Sequence, residues 1–280
     1  MPIDTHAAQR YVTPLREGGS LPALVETDGG MYVVKFRGAG QGARALLAEL
    51  IVGGIAERLG LPLPDLALVD LAPEFGRAEP DPEIQDILKG SRGLNVGLGF
   101  VPGAFAYEPA AHADLIDPAL AADVVWLDAL TTNIDRTARN PNLLIARADD
   151  GPKLWLIDHG AALYFHHDWS HVDAERARAP FPPIKDHVLL PVAGPIADAD
   201  ARLTPRLDDD AIRGVLDPIP DDLLMDAPEG RDPAFDTAQA ARDAYADFFR
   251  ERLEPPRLWV EEAARAQAER PDDTPLAYRR

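Results

Sequence analysis

The sequence predicts an α+β fold in two lobes, a β-rich lobe over residues 1–103 and a mostly helical lobe over residues 104–280. Three observations carry this expectation. Short apolar runs broken by glycine turns, with one long helical stretch among them, fill residues 10–101. Helical runs separated by proline and acidic loops fill most of the remainder. A chain of 280 residues is also long enough to divide its core between two lobes.

Residues 11–26 read as strand, glycine loop and strand, the loop being Arg16-Glu17-Gly18-Gly19-Ser20. Asp28-Gly29-Gly30 supplies a tight hairpin turn into a β-rich run over 31–36, which places these strands in an antiparallel sheet. Lys35 stands at the end of that run; alone, such a lysine is ordinarily a solvated edge charge. A helix follows over 43–59, stopped by Gly60 and Pro62. Leu46, Leu47, Leu50, Ile51, Ile55 and Leu59 form its apolar face. Glu49 lies off that face among Ala45, Gly53 and Ala56, where small side chains would let a strand approach closely. A strand over 65–71, a short helix over 80–89 and a strand over 93–101 lead to Pro102-Gly103, a hinge.

The segment 131–160 is where chemistry concentrates. A helix over 118–132 delivers a polar loop carrying Asp135, Arg136, Asn140 and Asn142. Apolar runs at 143–145 and 154–157 flank the turn Asp149-Asp150-Gly151 and read as a hairpin ending at Asp158. Because a hairpin returns the chain to its start, Asp135, Asn140 and Asp158 are expected to converge. Two carboxylates and an amide oxygen are hard ligands that suit Mg²⁺ held together with substrate phosphates. A carboxylate free of metal can accept the proton of an attacking hydroxyl, which completes the set of groups a phosphoryl-transfer site requires. Lys35 on a strand and Glu49 on the next helix add the phosphate-holding lysine and the carboxylate that orients it.

Composition narrows the function classes. The net charge of −19 argues against wholesale binding to nucleic acid or an anionic membrane. There is no cysteine, hence no disulfide framework or thiolate site. The N-terminal residues lack a basic-then-apolar signal pattern and no run is long enough to span a membrane, so a cytoplasmic location is expected. His166, His167, Asp168 and His171 have no matching upstream His/Asp set and are read as packing or substrate-facing residues rather than metal ligands. The pattern Gly38-x-Gly40-x-x-Ala43, with Asp70 ending the next strand, imitates a dinucleotide-binding unit. The hairpin before it, and Lys35 and Arg37 where an apolar strand should meet the first glycine, speak against that reading.

With these residues in place, the chain resembles the HipA-like kinases, an atypical branch of the protein-kinase-like fold. The resemblance is strongest in M-Y-V-V-K-F, A-E-L-I-V-G-G-I-A-E-R-L-G-L-P-L-P, N-I-D-R-T-A-R-N-P-N-L-L-I and L-I-D-H-G. It implies that Lys35 contacts the ATP phosphates, that Glu49 pairs with it, that Asp135 is the catalytic base and that Asp158 is the chief Mg²⁺ ligand. Spacing from the aspartate favours Asn140 as the second metal ligand, and adjacency to Leu143-Leu144-Ile145 favours Asn142. Gly18, Gly19 and Ser20 match the loop over the phosphates, and adenine would lie near Phe100 and Val101. The acceptor implied is a protein Ser/Thr hydroxyl. Alternatives are a lipid or small-molecule acceptor, or a nucleotide-binding regulator without catalysis. The chain departs from better-known members in having Thr137 after Asp135-Arg136 and His159 after Asp158.

Overall fold

The computed structural model describes residues 2–15, 21–40, 42–77, 79–148, 151–227 and 232–269. Its first part is a closed barrel built from β1 (Asp4–Pro14), β2 (Ala23–Thr27), β3 (Gly30–Lys35), β4 (Leu66–Leu71) and β5 (Gly93–Gly99), in the order β1-β2-β3-β5-β4. Helix α1 (Gly42–Leu59) connects β3 to β4, and α2 (Pro82–Gly90) connects β4 to β5. The Asp28-Gly29 turn joins β2 to β3 with Thr27 opposite Gly30, as the turn chemistry requires.

The expectation of an antiparallel sheet needs one correction. β1 pairs parallel with β4, from Asp4 opposite Ala67 to Ala7 opposite Asp70, and this pairing closes the barrel. The first half of β1 reads Asp-Thr-His-Ala-Ala-Gln-Arg and is largely solvent-facing, so it carries no apolar alternation to mark a strand. Closure removes the open edges that a five-stranded sheet would otherwise expose. It also disposes of the dinucleotide unit. The strands flanking the helix in such a unit are parallel neighbours, whereas β5 lies between β3 and β4 and is antiparallel to both.

The remainder runs through β6 (Phe105–Ala106), α3 (Pro109–His112), α4 (Pro118–Leu130), β7 (Leu143–Ala148) and β8 (Gly151–Leu156). It continues through α5 (Ala174–Arg178), α6 (Ile196–Leu203), α7 (Asp209–Leu216), α8 (Asp221–Leu224), α9 (Ala238–Leu253) and α10 (Leu258–Ala268). β6, β7 and β8 form a small antiparallel sheet whose register pairs Leu143 with Leu156.

One apolar cluster fills the barrel around Val25, Val34, Val69 and Leu71. A larger one joins α1 to α4, α6, α7, α9 and α10. Helix α1 is therefore buried on nearly every side, and its small residues sit where neighbours come closest. A Cβ on Gly54 would stand 2.8 Å from Val215 Cγ1 of α7, so only glycine permits this packing. Among the described residues, no helix is long and apolar enough to cross a membrane.

Candidate active site

Strand β3 ends at Lys35, and its ammonium is buried between two carboxylates. It donates to Glu49 Oε1 of α1 and, at 2.6 Å, to Asp158 Oδ1 just beyond β8. Glu49 is 0 % exposed. Burial works against the Lys35 charge, but Glu49 and Asp158 outweigh it and hold the lysine pKa above its usual value. Burial likewise penalises Asp158, and Lys35 outweighs that penalty to keep its carboxyl below the usual range. Gly160 lines the same corner. A Cβ there would lie 3.4 Å from Glu49 Oε1 and 3.6 Å from Asp158 Oδ1, in ordinary van der Waals contact with both carboxylates.

The loop carrying Asp135 is held by a buried polar network. Asp128, in the last turn of α4, is fully buried and accepts from Arg136 Nε at 2.5 Å, His187 Nε2 at 2.9 Å and Asn133 Nδ2 at 3.0 Å. Leu189 N–H donates to His187 Nδ1, so the His187 proton resides on Nε2 and points at Asp128. Burial opposes the Asp128 charge, and Arg136 and His187 overcome that, driving its pKa well below the usual carboxylate range. Arg136 then reaches the hairpin: it donates to the carbonyls of Asn142 and, at 3.2 Å, Ile157, and contacts His159 Nδ1 at 3.1 Å. One guanidinium thus joins the residue after Asp135 to both residues flanking Asp158.

Asp135 itself takes a backbone turn capped by Asn133, whose Oδ1 accepts from Asp135 N–H at 3.1 Å. Asn140 and Asn142 both direct their amide NH₂ groups at Asp135 Oδ2, at 2.7 and 3.2 Å. A carboxylate only accepts, which fixes the orientation of both amides and turns their carbonyl oxygens away from Asp135. The two asparagines differ in placement. Asn140 is exposed, whereas Asn142 is buried, and its backbone carbonyl accepts from Ile157 N–H, one residue before Asp158. Asn142 and Asp158 both adopt the left-handed backbone region, with φ of 50° and 55°. Thr132 and Leu163 do the same at 54° and 55°, so strained residues cluster around this centre, as they do at functional sites.

A cavity of about 730 Å³ opens beside Asp135. Its walls are the N-terminal turn of α1 with Arg44, the Ile134-Asp135 step, Gly160 and the 3₁₀ turn bearing Tyr164 and His167. Lys35, Glu49 and Asp158 are not among its lining residues. Phe100 follows β5, is tied to β3 through its N–H to the Met31 carbonyl, and is largely exposed; Val101 follows, half-buried. Neither lines the cavity. Gly18, Gly19 and Ser20 lie outside the described residues. His166 is buried against Tyr245, with Nδ1 2.9 Å from the hydroxyl, and no cluster of three or more metal-ligating His, Cys, Asp or Glu side chains occurs among the described residues.

The sequence reading did not single out Asp128, His187 or Arg44. Asp128 had a visible signal, a lone carboxylate within Val-Val-Trp-Leu-Asp-Ala-Leu, since a buried charge demands a partner. His187, in a proline-rich stretch, had none.

Residues 12–185 match the family of HipA-like kinases. The chain belongs to that family. This HipA-like kinase is also similar in structure to the Helicobacter pylori proinflammatory kinase CtkA, with a TM-score of 0.58 over 96 % of this chain and 98 % of that one. At 14 % identity that likeness concerns the fold alone, mixed α+β of a kinase kind. No curated protein sequence matches the chain. Family membership makes this HipA-like protein a kinase-like phosphotransferase that uses ATP.

Proposed function

We propose that this kinase transfers the γ-phosphoryl group of ATP to a Ser or Thr hydroxyl of a protein, in a cleft between a lobe at 1–103 and a lobe at 104–280. The observation that carries the reading is Lys35 held at once by Glu49 and Asp158. This joins the end of a barrel strand, the middle of α1 and the end of a hairpin at one point, with Asp135 on the loop bound to that hairpin through Arg136.

In this scheme Lys35 holds the α- and β-phosphates and Glu49 keeps its ammonium directed at them. Asp135 orients the acceptor hydroxyl and takes its proton as the oxygen attacks the γ-phosphorus. The bond from that phosphorus to the bridging oxygen breaks, and ADP leaves. Asn140 and Asn142 hold the Asp135 carboxylate through Oδ2. The adenine ring would lie by Phe100 and Val101, the segment that follows β5.

The residues present fit Mg²⁺. Asp158 offers a carboxylate and Asn142 a carbonyl oxygen turned away from Asp135, hard donors few enough to leave room for phosphate oxygens. Bound there, the ion would offset negative charge on the phosphates.

Incubation with Mg·ATP and intact-mass measurement tests the reading. Transfer to the chain or an added protein adds ~80 Da per phosphoryl group, and Asp135→Ala lowers the rate by at least ~10³-fold. Wild-type turnover in Asp135→Ala removes the base assignment.

A further inference from the structure

We propose that the cavity beside Asp135 is the acceptor subsite and that it selects a hydroxyl-bearing peptide segment with an acidic side chain next to the phosphorylated residue, read by Arg44. This inference rests on the phosphotransfer reading above and names the substrate class for the same centre. The wall of the cavity contains Asp135 but not Lys35, Glu49, Asp158 or Phe100, so it faces the hydroxyl rather than the nucleotide.

Its charges are unequal in availability. Asp226 lines it, but that carboxylate is already engaged by Arg37 through Nε at 2.9 Å and through Nη2. Asp135 is committed to the hydroxyl. Arg44 has no carboxylate partner among the described residues; its guanidinium donates to the His166 backbone carbonyl, which uses one of five N–H groups and neutralises nothing. A guanidinium with unused donors at a half-buried position favours a carboxylate, and a bidentate contact gives orientation as well as affinity. On a protein of net charge −19, a free cation beside the base also directs acidic groups to this one place.

The rim indicates a chain segment rather than an enclosed small molecule. Ile134 is 48 % exposed and Tyr164 is 64 % exposed, and both line the cavity. Tyr164 lies against the His167 ring, with centroids 5.1 Å apart and the planes tilted by 48°. Two exposed apolar side chains in one cavity with a base and a cation give an extended peptide somewhere to lay its backbone and flanking side chains.

The test uses the full chain and a series of Ser peptides in which Glu, Ala or Lys occupies each position flanking the serine. Phosphopeptide formation is followed with Mg·ATP, and binding of fluorescein-labelled peptides is read in parallel by anisotropy. Glu-flanked peptides are expected to show a KM about tenfold below that of their Lys-flanked counterparts. Arg44→Glu should reverse that order, Arg44→Lys should keep it in weaker form, and Tyr164→Ala should raise KM for every peptide alike. Equal or Lys-favouring use by the wild type, or an unchanged order in a folded Arg44→Glu, overturns the proposal. If no peptide is phosphorylated, the phosphotransfer reading has failed on its own. Anisotropy still decides the subsite: tighter binding of the Glu series supports it and equal binding ends it.

Discussion

The Lys35 ammonium and the Asp158 carboxylate stand 2.6 Å apart although 123 positions separate them in the chain. Glu49 closes the triad from α1 with no exposed surface, and its Oε2 has no hydrogen-bond partner among the described residues. The balance of charge in this corner therefore depends on one lysine. Lys35→Met should abolish phosphoryl transfer and also destabilise the fold by ~3–5 kcal/mol, because it strands a buried carboxylate. Lys35→Met combined with Glu49→Leu should regain most of that stability without regaining activity. Urea unfolding of both variants beside the wild type separates the two effects; equal stability of all three would show that Glu49 is not held as an ion.

The Asp128 network invites a second experiment. Asp128 and the Arg136 side chain are both fully buried, so Asp128→Asn keeps the shape and removes the compensating charge. A loss of ~3–5 kcal/mol is expected from an uncompensated guanidinium. Because Arg136 links the Asp135 loop to the Asn142 and Ile157 carbonyls, kcat should fall while KM for ATP changes little. Steady-state kinetics at a temperature where the variant is folded reads this split. A change confined to KM would show that the network does not position the base.

Stability should decline in mild acid. Burial pushes the pKa of His159 down to about 3, with Arg136 adding to it, and burial also lowers His166 and His187. As pH falls below 6.5 the unfolded chain binds protons that the folded chain refuses, so protonation favours unfolding. The stability associated with these neutral histidines is complete above 6.5 and drains below it until pH falls through each folded-state pKa, about 3 for His159, by up to ~1.4 kcal/mol per pH unit for each. The lowered carboxyls of Asp128 and Asp158 add a further loss below the usual carboxylate range. Melting temperatures should hold between pH 8 and 6.5 and fall from there to pH 5, and His166→Phe should flatten that fall. A flat profile over that range would contradict the buried neutral state.

Much of this centre was legible because its parts are local. The β7–β8 hairpin, the polar loop before it and the aspartate after it are all written within thirty residues of sequence. Glu49 was marked by its small neighbours on α1. What stayed hidden depends on long-range pairing. The polar opening of β1 gives no sign that it will close a barrel against β4. Asp128 belongs to the C-terminal half of α4, buried on all sides from Val124 on, where period 3.6 distinguishes no face. His187 joins the Asp135 loop only through tertiary contact, as Thr137 bridges to it across fifty positions.

The two asparagines can be told apart. Asn142 is buried, and its backbone is bonded to the residue before Asp158, whereas Asn140 is exposed and lies further along the loop toward Asp135. If Asn142 shares the metal with Asp158, Asn142→Ala should shift the Mg²⁺ concentration for half-maximal turnover upward by at least ~10-fold, the loss typical of a weakened metal site. Asn140→Ala removes a tether on the Asp135 carboxylate and should lower kcat with little change in Mg²⁺ requirement. Replacing Mg²⁺ with Mn²⁺, which binds amide and carboxylate donors more tightly, should rescue the first variant and not the second. Mg²⁺ titrations of ATP turnover give both readouts, and the reverse pattern would assign the metal to Asn140.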